Sequence, residues 1–206
     1  LIRPVLSGLT SRPALVGFWH NDFPRTQVGR TLRSWPHPIR VSGEKAAWWW
    51  ARKAYAPFDA VFVASRRVGE YMMQHGFSRL YYTPLGVDTD LYHPDHRDAS
   101  LNERLKAGHP DRLILFFPHR LSDEKGLGVI LAAYPKLVEM LPYPPALVFA
   151  GVGPRQNDVE KAARRFPHVH YIGYIDRPHD FARWYASCDL AVALSAFETF
   201  GLSAAE

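Results

Sequence analysis

Short apolar runs recur along the chain, separated by polar stretches of helical length. "ALVGFW" (14–19) and "AVFVA" (60–64) predict strands, and "RLYYTP" (79–84) a weaker one. Beyond a polar segment follow "LILFFP" (113–118), "ALVFAG" (146–151), "HVHYIGY" (168–174) and "DLAVALS" (189–195). These runs are continuous and do not alternate, which marks parallel strands covered on both faces. Between them the period changes. Leu127, Ile130, Leu131, Tyr134, Leu137, Val138 and Leu141 share one face of a helix over 127–141, with Pro135 expected to kink it near Leu131. "RQNDVEKAARRF" and "RPHDFARWYASC" supply two more crossovers. Such alternation predicts an α/β fold.

The segment "GVDTDLYHPDHRDASLNERLKAGHPDR" is polar and punctuated by Pro and Gly, with a short helix expected near Leu101–Lys106. It separates two α/β units, taken as residues 1–95 and 96–206.

Bulk properties narrow the function classes. An apolar content of 47% fits a globular core. The longest apolar runs fall far short of the roughly 18 residues that a membrane span needs. "LIRPVLSGLT" lacks the apolar centre of a signal peptide, and Leu1 is not an initiator Met, so any targeting signal ahead of it is unread. The single cysteine, Cys188, excludes an internal disulfide framework, fits a reducing compartment and reads as a small buried residue, not a nucleophile. A net charge of +5 suits nucleic acid, an anionic membrane surface or a phosphorylated substrate. The cations are scattered without a run of five, so nucleic acid is not expected as a partner.

Two stretches carry candidate chemistry. In "FFPHRLSDEKGLGVIL" a strand ends, Arg120, Lys125 and Gly126 follow, and a helix begins. Crevices at the carboxyl ends of parallel strands are where α/β folds bind ligands, and a helix start presents free amides to an anion. The two cations suit a diphosphate, or they lie on a solvated loop. "SAFETFGLSAAE" repeats the geometry: a strand, a turn through Phe200, Gly201 and Leu202, and the first turn of a helix. It brackets the turn with Glu198 and Glu206. Carboxylates accept hydrogen bonds from sugar or ribose hydroxyls, while backbone amides suit phosphate. Cations facing acids across one crevice suit a sugar nucleotide.

"SAFETFGLSAAE" resembles the E-x7-E motif of the family 4 retaining glycosyltransferases of the GT-B fold. "HRLSDEKG" is similar to their "GRL…EKG" diphosphate loop, with His119 where Gly is usual. "FAGVGP" resembles their "GxGP" turn, and "GVDTDLYHP" their "GVDxxxFxP" interdomain hinge. The four occur in the family's order. "VGFWHNDFPRT" is similar to a segment of the lipid-directed mannosyl and sulfoquinovosyl transferases, where a His lies against the donor sugar; His20 matches it.

The resemblance implies two Rossmann-like domains facing a cleft, both incomplete here, in an internal stretch of a longer enzyme. It implies transfer of a hexose from a nucleotide-diphosphate sugar to a lipid or glycan acceptor, with retention by front-side attack. Arg120 and Lys125 would neutralise the diphosphate, and Glu198 would bind the transferred sugar beside the Phe200–Leu202 backbone. Glu206 would hold ribose, His20 would contact the sugar, and Asp22 and Arg25 would shape the acceptor side. No metal and no cofactor are implied, and a cytoplasmic protein at the inner face of a membrane fits. A GT-B epimerase and a non-catalytic nucleotide-sugar module are the alternatives.

Other patterns carry less. "DTD" (Asp88–Asp90) matches a D-x-D metal motif but lies inside the hinge motif, and His168 and His170 have no third ligand at zinc spacing. "GVGPRQ" and "GLGVIL" lack the third Gly of a dinucleotide loop. In "EKAAWWWARKAYA" (44–56), a helix spreads Trp48, Trp49 and Trp50 over about 200°, so one narrow stripe cannot bury all three. They pack against other chain, or with Arg52 and Lys53 they meet a membrane headgroup zone.

Overall fold

A computed structural model describes residues 13–29, 31–195 and 198–206. The opening stretch weighed above as a leader lies outside them. The chain divides into two compact units between Leu85 and Gly86, at the head of the polar segment.

In the first unit β1 (Val16–Trp19), β2 (Ala60–Val63) and β3 (Leu80–Tyr82) form a parallel sheet in that order. Val16 pairs with Ala60, and Val61 with Leu80. A π-helical turn (Pro24–Gly29) and α1 (His37–Tyr55) join β1 to β2, and α2 (Arg66–Gln74) joins β2 to β3. Ser65 caps α2 by accepting from the Val68 amide at 3.3 Å. The core is aromatic. Trp19 stacks on Trp48 at 5.8 Å and meets Phe77 edge-on at 5.5 Å, with Val61, Val63 and Met72 around them. Each such side chain contributes roughly 1.5–3 kcal/mol by leaving water. Of the three consecutive tryptophans only Trp48 enters this core; Trp49 and Trp50 are 55% and 58% exposed.

The second unit opens with α3 (Ala99–Lys106), capped by Asp98, which accepts from the Leu101 amide at 3.0 Å. Then β4 (Ile114–Pro118), α4 (Leu127–Met140), β5 (Ala146–Ala150), α5 (Gln156–Arg165), β6 (Val169–Tyr171), α6 (Pro178–Ser187), β7 (Leu190–Ala191) and α7 (Leu202–Ala205) follow. The helix α4 is continuous across Pro135. The strands are parallel in the order β6-β5-β4-β7. Every residue of β4 and β5 is buried, as continuous apolar runs require. Phe117, Leu147 and Phe149 pack with α4 on one face, while Phe116 and Val148 pack with α3 on the other. The chain builds outward from β4 to β6, then returns to lay β7 on the other side of β4. The order therefore reverses between β4 and β7, the point where such sheets open a ligand crevice at their carboxyl ends.

Candidate functional site

Three loops leave the carboxyl ends of β4, β5 and β7, and glycines set how closely they approach. After β4 the chain runs from His119 through a 3-10 turn (Asp123–Lys125) to Gly126, whose φ is +78°. A Cβ at Gly126 would lie 2.5 Å from Leu194 Cβ and 3.0 Å from its carbonyl oxygen. Only glycine lets the exit of β7 cross at this point. Lys125 is thereby set beside that exit, and its Nζ bonds Glu198 Oε1 at 2.6 Å. The cation of one loop and the acid of the other meet.

The β5 exit braces the cation loop from its other side. A Cβ at Gly151 or Gly153 would stand 2.4 Å from the carbonyl oxygen of His119 or Leu121. The Leu121 amide donates to Val152 at 3.1 Å, the Arg155 amide to Leu121 at 3.0 Å, and the Arg155 guanidinium pairs with Asp123 and Asp158. "GVGP" is thus a turn that lets two backbones touch.

His119 joins β4 to β7. Its Nε2 lies 2.9 Å from the Val192 carbonyl, which can only accept, so Nε2 carries the proton. Nδ1 is then an acceptor facing Ser203 Oγ at 3.5 Å. Burial pushes the imidazole pKa down, and the nearby Lys125 charge acts in the same direction. A neutral ring therefore ties both strand ends to α7.

Glu206, on the last turn, lies 3.4 Å from the Tyr185 hydroxyl, which donates more closely to the Ser203 carbonyl at 2.9 Å. Tyr92 meets Tyr185 edge-on at 5.8 Å. Burial, with the Glu206 charge behind it, pushes the Tyr92 phenol up to about 12. A cleft of about 590 Å³ opens at the ends of β4 and β5, lined by Tyr92, His119, Arg120, Tyr174, Arg177 and Phe181 among others, while Lys125, Glu198 and Glu206 stand outside its lining.

The second unit therefore gathers Lys125 with Glu198, sets Arg120 on the cleft wall with Tyr92, and holds Glu206 against Tyr185. Phe200, Gly201 and Leu202 form the turn into α7, with Gly201 at φ +87°. His20 lies in the first unit, exposed, directly after β1. Asp22 is buried there: Oδ2 faces Arg25 at 3.4 Å, while Oδ1 meets no donor among the described residues. Burial pushes its carboxyl pKa up against the pull of Arg25. Arg25 also caps the Tyr71 ring at 4.8 Å. His168 Nδ1 faces the Arg112 guanidinium at 3.2 Å. The Cys188 thiol is pushed up to about 12, by burial first and by Asp189 second. Sequence reasoning missed Tyr92 and Tyr185, and noted His119 only as a departure; Tyr for Phe within the hinge pattern was the available signal.

Residues 101–206 match the family model described as "Glycosyl transferases group 1". The chain is 32% identical over 169 residues to the GDP-mannose-dependent alpha-(1-6)-phosphatidylinositol dimannoside mannosyltransferase of Mycobacterium tuberculosis, covering 82% of this chain and 43% of that protein. It is 28% identical over 161 residues to sulfoquinovosyl transferase SQD2 of Arabidopsis thaliana, covering 77% of this chain and 30% of that protein. It thus spans less than half the length of these curated relatives. Among solved structures it resembles sucrose-phosphate synthase of Thermosynechococcus elongatus, with a TM-score of 0.65 at 18% identity, covering 94% of this chain and 47% of that one. It also resembles HepE of Anabaena in complex with UDP and glucose, with a TM-score of 0.59 at 20% identity, covering 89% of this chain and 47% of that one.

Proposed function

The chain belongs to the glycosyl transferases of group 1 and has the α/β architecture of the GT-B fold, and from that premise we propose that the full protein is a retaining hexosyltransferase using a nucleotide-diphosphate sugar. The observation that carries this reading is the 2.6 Å contact between Lys125 and Glu198 at the point where the sheet order reverses. One guest with a charged end and a hydroxylated end satisfies both loops.

In this reading the anomeric carbon breaks its bond to the β-phosphate oxygen and forms one to the acceptor oxygen on the same face. The departing diphosphate takes the acceptor's proton. Arg120 and Lys125 stabilise the charge that builds on the leaving group, in place of a metal ion. Glu198 accepts hydrogen bonds from the transferred sugar, with the Phe200–Leu202 backbone beside it. Glu206 holds the ribose, and His20 is assigned to the sugar.

We place the acceptor among lipids, as the name of the phosphatidylinositol dimannoside mannosyltransferase relative suggests. Among the described residues no helix is long and apolar enough to cross a membrane. The exposed Trp49 and Trp50 supply the alternative, a surface contact at the cytoplasmic face. Lys53 stands 5.9 Å from the Trp49 ring and Phe23 5.8 Å from Trp50, a pairing of aromatic rings with a cation suited to the headgroup zone.

The test is transfer of labelled sugar from GDP- and UDP-hexoses to a membrane lipid extract by the full-length protein. Lipid-dependent product is expected, with kcat lowered about 100-fold or more in Glu198→Ala. Donor conversion without acceptor would favour an epimerase, and nucleotide binding without turnover a non-catalytic module. Vesicle co-sedimentation checks the surface contact: Trp49→Ala with Trp50→Ala should lose binding to anionic vesicles.

A further inference from the structure

A second cavity, of about 190 Å³, lies within the first unit at the amino ends of β2 and β3. That is the end of the sheet opposite His20, which follows the carboxyl end of β1. Its lining joins Arg52 and Arg79 with Ser78, Tyr55, Phe58 and Phe77, and holds no acid. The turn that closes α2 shapes it. Gly76 has φ +79°, and the amides of Gly76 and Phe77 donate to Met73 and Met72 at 2.9 and 3.1 Å. A Cβ at Gly76 would stand 2.9 Å from Arg52 Nη1, so this turn also makes room for the guanidinium of α1. Arg79 is left-handed too, at φ +59°, and its carbonyl accepts from the Val61 amide at 2.9 Å. Glycine would take that turn without strain. What the arginine supplies instead is a second guanidinium at the cavity.

The carboxyl ends of α1 and α2 attract cations, and capping is the ordinary work of an arginine there. It accounts for little of this pair. Arg79 donates to the Ala56 carbonyl at 3.3 Å, and Arg52 has no hydrogen bond or ion pair among the described residues. Each guanidinium carries five N–H donors in a planar fork. Two forks around a cavity without an acid leave donors and positive charge in excess. A carboxylate has two oxygens and fills one fork; a phosphate has enough for both, through charge-assisted bonds. The volume is well above the roughly 10–15 Å³ that one water needs. We propose that Arg52 and Arg79 form a binding site for a phosphate group, apart from the donor site of the second unit. Free phosphate and a lipid headgroup share that chemistry. Trp49 lies three residues before Arg52 and four before Lys53, so the pocket adjoins the surface assigned above to the membrane. Only the headgroup source rests on that surface contact.

Titration of the full-length protein with inorganic phosphate, followed by NMR at the Gly76 and Ser78 amides, tests the site without interference from the second unit. Saturable shifts are expected at both amides. Arg52→Gln and Arg79→Gly should each weaken phosphate binding roughly tenfold. Arg79→Gly suits the left-handed backbone, so its loss of binding is not a loss of fold. Co-sedimentation with phosphatidylcholine vesicles, with and without phosphatidic acid, separates the sources. If both variants also lose the binding that phosphatidic acid confers, the occupant is a lipid headgroup. If vesicle binding is absent or unchanged while the amides respond to phosphate, the site stands and its occupant is a soluble phosphate. If the amides do not respond to phosphate, or respond equally in both variants, the proposal is overturned and the arginines are helix caps alone.

Discussion

In the second unit β4 and β5 bury every residue, whereas in the first unit burial along β1 and β2 is interrupted and the tyrosines of β3 are exposed. The helices differ in the same way. Both faces of β4 and β5 are covered by apolar layers, while α1 buries Trp48 and leaves Trp49 and Trp50 outside. Where a sheet is closed on both faces, chemistry is confined to the strand ends, so three loops and their glycines decide what can bind. Where a helix leaves large rings in solvent, the surface itself becomes the candidate for contact. One chain thus carries a site defined by loop geometry and a surface defined by composition.

The contrast is broken most forcefully by disturbing the closed sheet. Phe117→Ala should cost about 3–5 kcal/mol in denaturant unfolding of the second unit. Gly153→Ala should cost a few kcal/mol by forcing a Cβ into the Leu121 backbone, and should disturb nucleotide binding as the cation loop shifts.

Acid sharpens the contrast more gently. Burial holds the pKa values of His119 and His170 below the ordinary histidine value. As pH falls below about 6.5 the unfolded chain takes up these protons before the folded one does. Stability of the second unit should therefore be full above that value and decline below it, toward the lowered folded pKa values. Asp22 acts with the opposite sign in the first unit. Its raised pKa means that the folded state protonates first, so its penalty is present at neutral pH and relieved as pH falls through the folded value. Unfolding midpoints followed from pH 7.5 down to about 4, with Asp22→Asn as a more stable neutral reference, check both slopes.

The smallest effect belongs to the open surface. Trp49→Ala should change stability by no more than about 0.5 kcal/mol. A much larger loss would mean that the ring is packed, and would remove the reason for a membrane contact.

Legibility in the sequence followed the same division. β4 and β5 were read from their apolar runs because burial on both faces leaves no polar position inside a strand. The predicted strand 189–195 shrinks to Leu190–Ala191. One further bond, from the Val192 amide to Phe116 at 2.7 Å, ends the ladder before Leu194 crosses Gly126. A tertiary contact that no local pattern encodes set that boundary. α2 was overlooked although Ser65 and Gly76 mark its ends, because its few apolar residues make a narrow stripe. In the candidate site, the loop positions of Arg120, Lys125 and Glu198 were legible because each lies beyond a readable strand. The approach of Tyr185 to Glu206 was not, since it joins two elements that no local pattern links.

The most direct measurement is the affinity of the full-length protein for nucleoside diphosphate, by calorimetry, in wild type and Lys125→Ala. Loss of one charge-assisted contact to the diphosphate should weaken binding roughly tenfold or more, with unfolding stability nearly unchanged because the exposed pair with Glu198 contributes at most about 1 kcal/mol. Equal affinity in the two proteins would contradict the claim that the loops after β4 and β7 close on one phosphorylated guest.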